Sequence, residues 1–370
     1  MGLSIDRHVG QLLIVGFEGT ELPSALRCAL AEGRIGGLVL FRRNLESVGQ
    51  VRALLQEAHD AAVGGGQPVP ILSVDHEGGR VQRMRAPLTV LPPMEVVGLA
   101  ADAELAAQLG EAVGLELAAL GFNLNFAPCV DLRTHPHNVV IGDRSFGSEP
   151  EKVARLAGAF ATGMLIQGVV PCAKHFPGHG DTVADSHVEL PRVDNDLDTL
   201  RRRELVPFQR LIGMNIPAIM TAHILVPAVD TRHPMTLSEA GIGELLRVKM
   251  RYRGVVISDD LDMAGVAAHY STRDMVERAI RAGVDLLLCC RDEARWMEAS
   301  ETLNALARGH AFDQARLQAA LDRVHTLKST WLPAADAPLP AWEDIPWDKH
   351  GALVQRILER AARAASPCDA

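Results

Sequence analysis

The densest group of chemically active side chains lies in one segment, Lys174 to Pro191, which reads KHFPGHGDTVADSHVELP. It contains three histidines, two aspartates and a lysine among glycines and prolines, and it follows the apolar run Val169–Ala173. Polar groups just after a buried strand are a common way to build an active site. A loop of this length inside a compact domain is also uncommon unless it binds or covers a ligand. The segment is therefore the first candidate for catalysis.

Within this segment, Asp185 and His187 form an Asp-Ser-His triplet. In extended backbone, residues i and i+2 point to the same side, so the Asp185 carboxylate can hold one ring nitrogen of His187. The other nitrogen then faces a substrate with raised basicity. An imidazole has an ordinary pKa of about 6.5, which suits proton transfer in both directions. The pair is a candidate general acid/base, although a solvated surface aspartate and histidine would give the same triplet.

A second candidate is Asp259, which directly follows the short apolar run Gly254–Ser258. A carboxylate that is fixed among cations stays ionised at neutral pH. Such a group can act as a nucleophile or stabilise a developing positive charge. Asp260 and Asp262 follow closely, and the simplest role for these two residues is to cap the next helix.

These candidates need a scaffold that brings distant parts of the chain together. Short apolar runs alternate with longer amphipathic runs about eight times, which is the pattern of an α/β protein of the (β/α)8 TIM-barrel type. A doubly wound open sheet is the main rival, but the first apolar run leads into Glu18-Gly19-Thr20 and not into a G-x-G-x-x-G turn. We predict one catalytic barrel over residues 1–332, followed over 333–370 by a Pro/Ala-rich spacer and a C-terminal helix that packs on the barrel.

In such a barrel, the residues that follow each strand converge on one face. The predicted strand ends bring the following polar residues to that face: Asp75, Asp131 with Arg144 in the loop after it, Lys174, His175, His223 and Asp259. Arg83 follows Asp75 closely enough to fold over the same mouth. A structural network of ion pairs would use the same residue types, but their convergence favours a binding site.

The composition limits the possible partners. The chain has 370 residues and a net charge of −9, and Lys and Arg form no long runs, so nucleic acid and anionic membranes are poor partners. Six scattered cysteines without a C-x-x-C pair are typical of reduced thiols in a cytosolic protein. There is no signal-peptide core and no apolar run of membrane-spanning length. We expect a cytoplasmic monomer that binds neither nucleic acid nor membrane.

The histidines and aspartates could also bind zinc, as they do in metal-dependent barrel hydrolases. Those enzymes tend to carry a His-x-His pair after the first strand, where this chain has Glu18-Gly19-Thr20. His175 and His179 lie on a Pro/Gly loop and so lack the i, i+4 registry of a helix. We predict no metal and no other cofactor, and we keep a metal-dependent barrel hydrolase as an alternative.

Taken together, the motifs resemble those of the β-N-acetylglucosaminidases of glycoside hydrolase family 3. The resemblance extends from Leu12 to about Cys290 and rests on four motifs in the same order: VDHEGGRVQR from Val74, GDRSFG from Gly142, the Lys174–Pro191 segment, and SDDLDM from Ser258. The combination of KHFPGHG with Asp-Ser-His is typical of this branch of the family.

The resemblance implies a role for each matching residue. Asp259 would be the nucleophile that forms a glycosyl-enzyme intermediate, and His187 would be the acid/base, assisted by Asp185. The residues that would hold the N-acetylglucosamine unit are Asp75, Arg83, Arg144, Lys174 and His175. A histidine partner departs from the usual retaining pair of carboxyl groups about 5–5.5 Å apart. Glu77 is the nearest rival carboxyl, and its Gly-Gly-Arg context favours a structural ion pair.

The resemblance also implies a biological setting. Gram-negative-type members are single cytoplasmic barrels that release N-acetylglucosamine from small molecules, namely N-acetylglucosamine-anhydro-N-acetylmuramic acid and its peptides, during peptidoglycan recycling. The absence here of a second domain and of a signal peptide fits that group. Aromatic residues make up only 4% of the chain, so we expect the mouth to grip one sugar through charged hydrogen bonds.

The expected activity is that of a retaining exo-β-N-acetylglucosaminidase. One alternative is a phosphorylase that uses the same intermediate, because a neutral histidine admits a phosphate anion where a carboxylate would repel it. Another is a sugar-binding barrel that retains the charged pocket and has no turnover.

Overall fold

Eight short, mostly apolar runs form parallel strands that close into a barrel in the computed structural model. The structure describes residues 4–182 and 190–365, and for Asp6 it describes only the backbone. Each strand pairs with its neighbours in chain order, and the last strand pairs with the first. The strands are β1 Leu13–Val15, β2 Gly37–Leu40, β3 Ile71–Val74, β4 Leu124–Asn125, β5 Val170–Phe176, β6 Ala218–Thr221, β7 Val255–Asp260 and β8 Leu286–Cys289. The predicted (β/α)8 architecture is confirmed.

The strands consist of apolar residues on both faces because helices cover the outside of the barrel and side chains fill its interior. Strand β7 shows where this burial ends, since Val255–Ser258 are buried and Asp259 and Asp260 are only half-buried. Strand β5 is longer than the predicted run, because Lys174 and His175 belong to the strand and are buried in it. Both strands therefore carry charged side chains at the same open end of the barrel.

The helices surround the barrel in the expected alternation. They are α1 Ile5–His8, α2 Ser24–Ala31, α3 Val48–Gly64, α4 Met94–Ala100, α5 Ala103–Leu120, α6 Pro150–Ile166, α7 Leu197–Arg202, α8 Leu205–Gly213, α9 Ala264–Ala267, α10 Thr272–Ala282, α11 Glu293–Ala307, α12 Ala311–Trp331 and α13 Trp347–Ala365. The Asp102 carboxylate caps α5 by accepting from the N–H groups of Glu104 and Leu105. Gly121, with a φ of 105°, ends α5 in the left-handed conformation that favours glycine.

Two segments differ from the regular pattern. A short antiparallel hairpin, His76–Gly78 with Val81–Gln82, follows β3 and carries Glu77 over the mouth of the barrel. A π-helix, which has wider turns than an α-helix, spans Ala240–Lys249.

The last helix, α13, packs against α4 and α5 on the outside of the barrel. Its buried residue His350 places Nδ1 2.7 Å from Oε1 of Glu116 on α5. Glu116 also accepts hydrogen bonds from the N–H and the hydroxyl of Thr89, so this contact joins three parts of the chain. None of the helices described here has the length and apolarity needed to cross a bilayer.

Candidate active site

A cavity of about 660 Å³ opens where the C-terminal ends of the strands meet. Six residues proposed from the sequence line it: Asp75, Arg83, Arg144, Lys174, His175 and Asp259. Asp185 and His187 lie outside the described residues. A groove of about 750 Å³ on the helical surface, between α8 and the π-helix, is larger but lies away from the strand ends. We therefore take the cavity at the strand ends as the candidate active site.

A chain of alternating charges forms one wall of the cavity. Oδ2 of Asp75 lies 3.1 Å from Nη2 of Arg83, and its Oδ1 lies 2.7 Å from Nζ of Lys174. The same Nζ lies 2.6 Å from Oε1 of Glu77. The guanidinium of Arg144 then donates to both Glu77 oxygens, at 2.7 and 2.9 Å. Each internal member thus has an opposite charge on both sides, which fixes its orientation.

The alternating charges set the pKa values of the side chains in this wall. Burial would raise the pKa of Asp75, but the charges of Lys174 and Arg83 outweigh it and hold that pKa well below the ordinary range. Burial also opposes ionisation of Glu77, yet Arg144 and Lys174 lower its pKa to about 2. Burial would lower the pKa of Lys174, but Asp75 and Glu77 raise it to about 12. At neutral pH both carboxyls are acceptors and cannot donate a proton.

His175 is oriented by Asp131, a fully buried carboxylate in the loop after β4. Oδ2 of Asp131 lies 2.6 Å from Nδ1 of His175 and also accepts the His175 N–H at 3.1 Å. Its Oδ1 accepts the N–H of His179 at 2.6 Å. Burial opposes the charge of Asp131, but His175 outweighs it and keeps the carboxyl pKa below its usual range. This network assigns the proton to Nδ1 and leaves Nε2 for the cavity, 3.4 Å from Arg144.

Asp259 lines the same cavity at the end of β7, which lies opposite β3 in the closed barrel. Its Oδ1 accepts the N–H of Asp260 at 2.8 Å. Oδ1 of Asp260 accepts the N–H groups of Asp262 and Cys290, so it ties the end of β7 to the loop after β8. The prediction that Asp260 and Asp262 cap the next helix is wrong, because the N-cap of α9 is Met263 and no side chain caps it. Their hydrogen bonds fix the backbone on which Asp259 stands.

Asp260 has an unusual ionisation. Burial, followed by the neighbouring charges of Asp262 and Asp259, raises its pKa to about 7. Since it lines the cavity, it could exchange a proton near neutral pH. It is a rival to a histidine as the acid/base and must be tested.

One group within the described part of the chain has the composition of a metal site. Ligand atoms of Cys129, Asp131 and His175 lie within 4.8 Å of one another, and all three residues are buried. Burial and the nearby Asp131 charge raise the pKa of the Cys129 thiol well above its usual value. Both Asp131 oxygens already accept hydrogen bonds. The group acts as a hydrogen-bonded support for His175, because Asp131 contacts the Cys129 thiol, the His175 ring and two backbone N–H groups.

Some residues do not lie where the sequence suggested, and others were missed. His223 does not line the cavity, because its ring is buried between Thr236 and the carbonyl of Asp260. Glu77 forms an ion pair, as predicted, but its partners are Arg144 and Lys174. The arginine of its Gly-Gly-Arg context, Arg80, pairs with Asp143 instead.

Phe41 and Arg291 also line the cavity and were not singled out. Phe41 follows β2, and Arg291 lies two residues beyond β8. The rule that residues after barrel strands converge would have included both.

The geometry agrees with the proteins that the chain resembles. Residues 4–327 match the glycosyl hydrolase family 3 N terminal domain. The chain is 41% identical over 307 residues to a beta-hexosaminidase from Pseudomonas aeruginosa, covering 83% of this chain and 89% of that protein. A beta-hexosaminidase from Alkalilimnicola ehrlichii is 41% identical over 284 residues, covering 75% of this chain and 80% of the relative.

Solved structures give the same result. A glycoside hydrolase family 3 beta-N-acetylglucosaminidase from Paenibacillus sp. str. FPU-7 superposes with a TM-score of 0.90 at 37% identity, over 97% of this chain and 69% of that chain. Native NagZ from Neisseria gonorrhoeae superposes with a TM-score of 0.78 at 31% identity, over 98% of this chain and 99% of that chain. The chain therefore belongs to glycoside hydrolase family 3 and is a β-N-acetylhexosaminidase.

Proposed function

We propose that the protein is a retaining exo-β-N-acetylglucosaminidase that releases terminal N-acetylglucosamine from small cell-wall muropeptides. The observation that carries this proposal is the placement of Asp259 in the same cavity as the alternating charges of Asp75, Lys174, Glu77 and Arg144. A single sugar held by that wall would present its anomeric carbon to the carboxylate opposite. The enzyme would act in peptidoglycan recycling, as a monomer in the cytoplasm.

In the first step, a carboxylate oxygen of Asp259 attacks the anomeric carbon while His187 gives a proton to the glycosidic oxygen. The bond to the aglycone breaks, and the sugar is held as an ester of Asp259. In the second step, neutral His187 takes a proton from water, and that water displaces Asp259 from the sugar. Two inversions give net retention, and both groups return to their starting states.

The choice of His187 as the acid/base is supported by the properties of three cavity carboxyls, Asp75, Glu77 and Asp260. Asp75 and Glu77 have pKa values held low by their cationic partners, so neither can donate a proton at neutral pH. Asp260 has the required pKa of about 7 but follows Asp259 directly on a strand. Oδ1 of Asp260 already accepts the N–H groups of Asp262 and Cys290, so this carboxyl is held against the backbone and is poorly placed to serve the same sugar. Asp185 would hold His187 in the useful tautomer.

The N-acetylglucosamine would be held by the five residues already assigned to it, Asp75, Arg83, Arg144, Lys174 and His175. Arg83 gives the most specific support, because its buried Nε has no hydrogen-bond partner among the described residues. An unpaired buried donor costs free energy unless a ligand supplies the acceptor. A sugar oxygen would be such an acceptor.

The aglycone would leave toward Arg291. Four arginines line the cavity, and three of them pair with carboxylates within the described residues: Arg80 with Asp143, Arg83 with Asp75, and Arg144 with Glu77. The exposed guanidinium of Arg291 has no such partner there. It is therefore available to bind a carboxylate, and muramic acid and its peptides carry carboxylates.

A trapping experiment tests the nucleophile and the stereochemical course together. The enzyme is incubated with a 5-fluoro-N-acetylglucosaminyl fluoride and digested, and the labelled peptide is sequenced by mass spectrometry. We expect the sugar on Asp259, and an Asp259→Asn variant as control should carry no label. Label on any other residue, or none in the active enzyme, would contradict the assignment.

The products distinguish the remaining alternatives. In phosphate buffer we expect free N-acetylglucosamine, whereas sugar 1-phosphate as the main product would identify a phosphorylase. Loss of turnover with a chelator, and recovery with zinc, would identify a metal-dependent hydrolase. A folded protein without turnover on aryl N-acetylglucosaminides would identify a binding barrel.

A further inference from the structure

Two described stretches flank the segment that carries Asp185 and His187, and one carboxylate ties them together. Oδ2 of Asp181, before the segment, accepts a hydrogen bond from the side-chain amide of Asn195, after it, at 2.7 Å. The same oxygen accepts from Nη2 of Arg203 at 2.7 Å. Asp181 thus joins the entering stretch to the leaving stretch and to the connection between α7 and α8.

Each stretch is also attached to the barrel separately. On the entering side, the amide of Asn138 donates to the carbonyls of His179 and Gly180, at 2.8 and 3.0 Å. On the leaving side, two backbone hydrogen bonds join the stretch to Leu225, which follows β6. The N–H of Val193 donates to the Leu225 carbonyl, and the Leu225 N–H donates to the Pro191 carbonyl, both at 2.9 Å. The Asp181 bridge therefore connects two anchored ends and sets their relative position.

Arg203 is held from its other side by Glu204. Nε of Arg203 donates to Oε1 of Glu204, a buried residue. Glu204 in turn packs against Gly178, where an added Cβ would lie 2.7 Å from the Glu204 Cβ. Because Glu204 holds Nε of the Arg203 guanidinium, Nη2 of the same group has a fixed position for its hydrogen bond to Asp181.

We propose that Asp181 and Arg203 are positioning residues for the acid/base His187, a role that depends on the function proposed for His187 above. Proton transfer requires the imidazole to lie within hydrogen-bond reach of the glycosidic oxygen, and small misplacements of a reacting group cost large factors in rate. The ion pair is well suited to a geometric role. The side chains of Arg203 and Asp181 are 33% and 22% exposed, so the pair lies at the edge of the fold and outside the barrel core.

The proposal predicts a selective defect, because a poor leaving group needs a proton during bond cleavage and a very good one does not. We would measure kcat and KM for Asp181→Ala and Arg203→Met with phenyl and 2,4-dinitrophenyl N-acetyl-β-glucosaminides. We expect kcat/KM to fall by about 10- to 100-fold on the phenyl substrate and by less than about threefold on the dinitrophenyl substrate. KM on the phenyl substrate should change little. The melting temperature should change little for Asp181→Ala but should fall for Arg203→Met, which leaves the buried Glu204 without its cationic partner. Arg203→Lys should restore part of the rate and of the melting temperature.

Three comparisons make the test decisive. Asp194→Ala removes an exposed ion pair of the leaving stretch, Arg192–Asp194 at 2.6 Å, and should behave like the wild type. Asp181→Asn keeps an acceptor for Arg203 and should fall between the wild type and Asp181→Ala, which covers the case of an alanine variant that does not fold. His187→Ala should show the same leaving-group dependence in a stronger form.

Each outcome has a distinct meaning. A wild-type profile for Asp181→Ala and Arg203→Met, or an equal loss on both substrates, overturns the positioning role and leaves the proposed function intact if His187→Ala is selective. A His187→Ala variant that retains the wild-type profile overturns the acid/base assignment, and the positioning role with it.

Discussion

Arg144 binds Glu77 through two nitrogens, at 2.7 and 2.9 Å, although 67 residues separate them in the chain. Glu77 lies on the hairpin after β3, and Arg144 lies in the long excursion after β4. Their side chains are only 1% and 10% exposed. The pair therefore joins two loops that follow different strands, and both contribute to the charged wall of the cavity.

Replacing Glu77 by glutamine should destabilise the protein strongly. The substitution keeps the shape but leaves Arg144 and Lys174 with an uncompensated buried positive charge, and breaking a buried pair costs about 3–5 kcal/mol. Urea unfolding would measure the loss. The matched control is Glu151→Gln, which breaks an equally bidentate but exposed pair with Arg210 and should leave the urea midpoint nearly unchanged. Equal midpoints for the two variants would contradict the structural role of Glu77.

The same pair predicts how stability depends on pH. The pKa of Glu77 falls from an ordinary value of 4.5 to about 2 in the folded protein, so the folded state binds the proton more weakly than the unfolded state. The stabilisation is therefore present above about pH 4.5 and is lost as the pH falls toward 2. The melting temperature of the wild type should drop steeply across this window, and that of Glu77→Gln should drop less. Parallel curves for the two proteins would show that Glu77 is not responsible.

The sequence predicted the barrel and six of the charged or polar residues that line the cavity, because both depend on local patterns. Apolar runs locate the strands, and the residues just after the strands meet at one end of the barrel because all the strands are parallel. What it could not predict are contacts between distant loops. Nothing local indicates that Glu77 pairs with Arg144 and not with Arg80, or that Asp131 is the residue that orients His175.

Other errors have equally physical causes. His223 has the right position after β6, but its ring is taken up by hydrogen bonds to Thr236 and to the carbonyl of Asp260. Asp260 and Asp262 look like helix caps because the capping preference is local, whereas their partners, the N–H groups of Cys290 and Arg291, come from the next strand's loop.

The roles proposed for Asp259, His187 and Asp260 predict how strongly a substitution of each residue should lower kcat. Asp259→Ala and His187→Ala should each lower kcat by about 10³-fold or more on a phenyl glycoside, because each removes a group that the transition state needs. Asp260→Asn should lower it by less than about tenfold, since Asp260 only holds the backbone near the nucleophile. The pH–rate profile of Asp260→Asn should keep its limb near neutral pH. If the pH–rate profile of Asp260→Asn lost this limb and His187→Ala had a near-normal kcat, Asp260 would be the acid/base.

Arg291 offers a test of the aglycone. If its guanidinium binds a carboxylate of the leaving group, Arg291→Gln should lower kcat/KM for N-acetylglucosaminyl-anhydro-N-acetylmuramic acid by about 10-fold or more, the loss of one charge-assisted hydrogen bond. The rate on a neutral phenyl glycoside should stay close to that of the wild type, because that aglycone offers no anion.

The control for Arg291 is the methyl ester of the same disaccharide, which lacks the charge and should be hydrolysed equally well by both proteins. Arg295→Gln supplies a second control, since that side chain pairs with Asp262 and Asp292 and does not line the cavity. Arg291 could instead only offset the negative charges of Asp259, Asp260 and Asp262. Its loss should then slow the turnover of charged and neutral substrates alike, because the electrostatic environment of the nucleophile would change and the leaving-group site would not. The ratio of kcat/KM values on the acid and its ester therefore separates recognition of the aglycone from general electrostatic support.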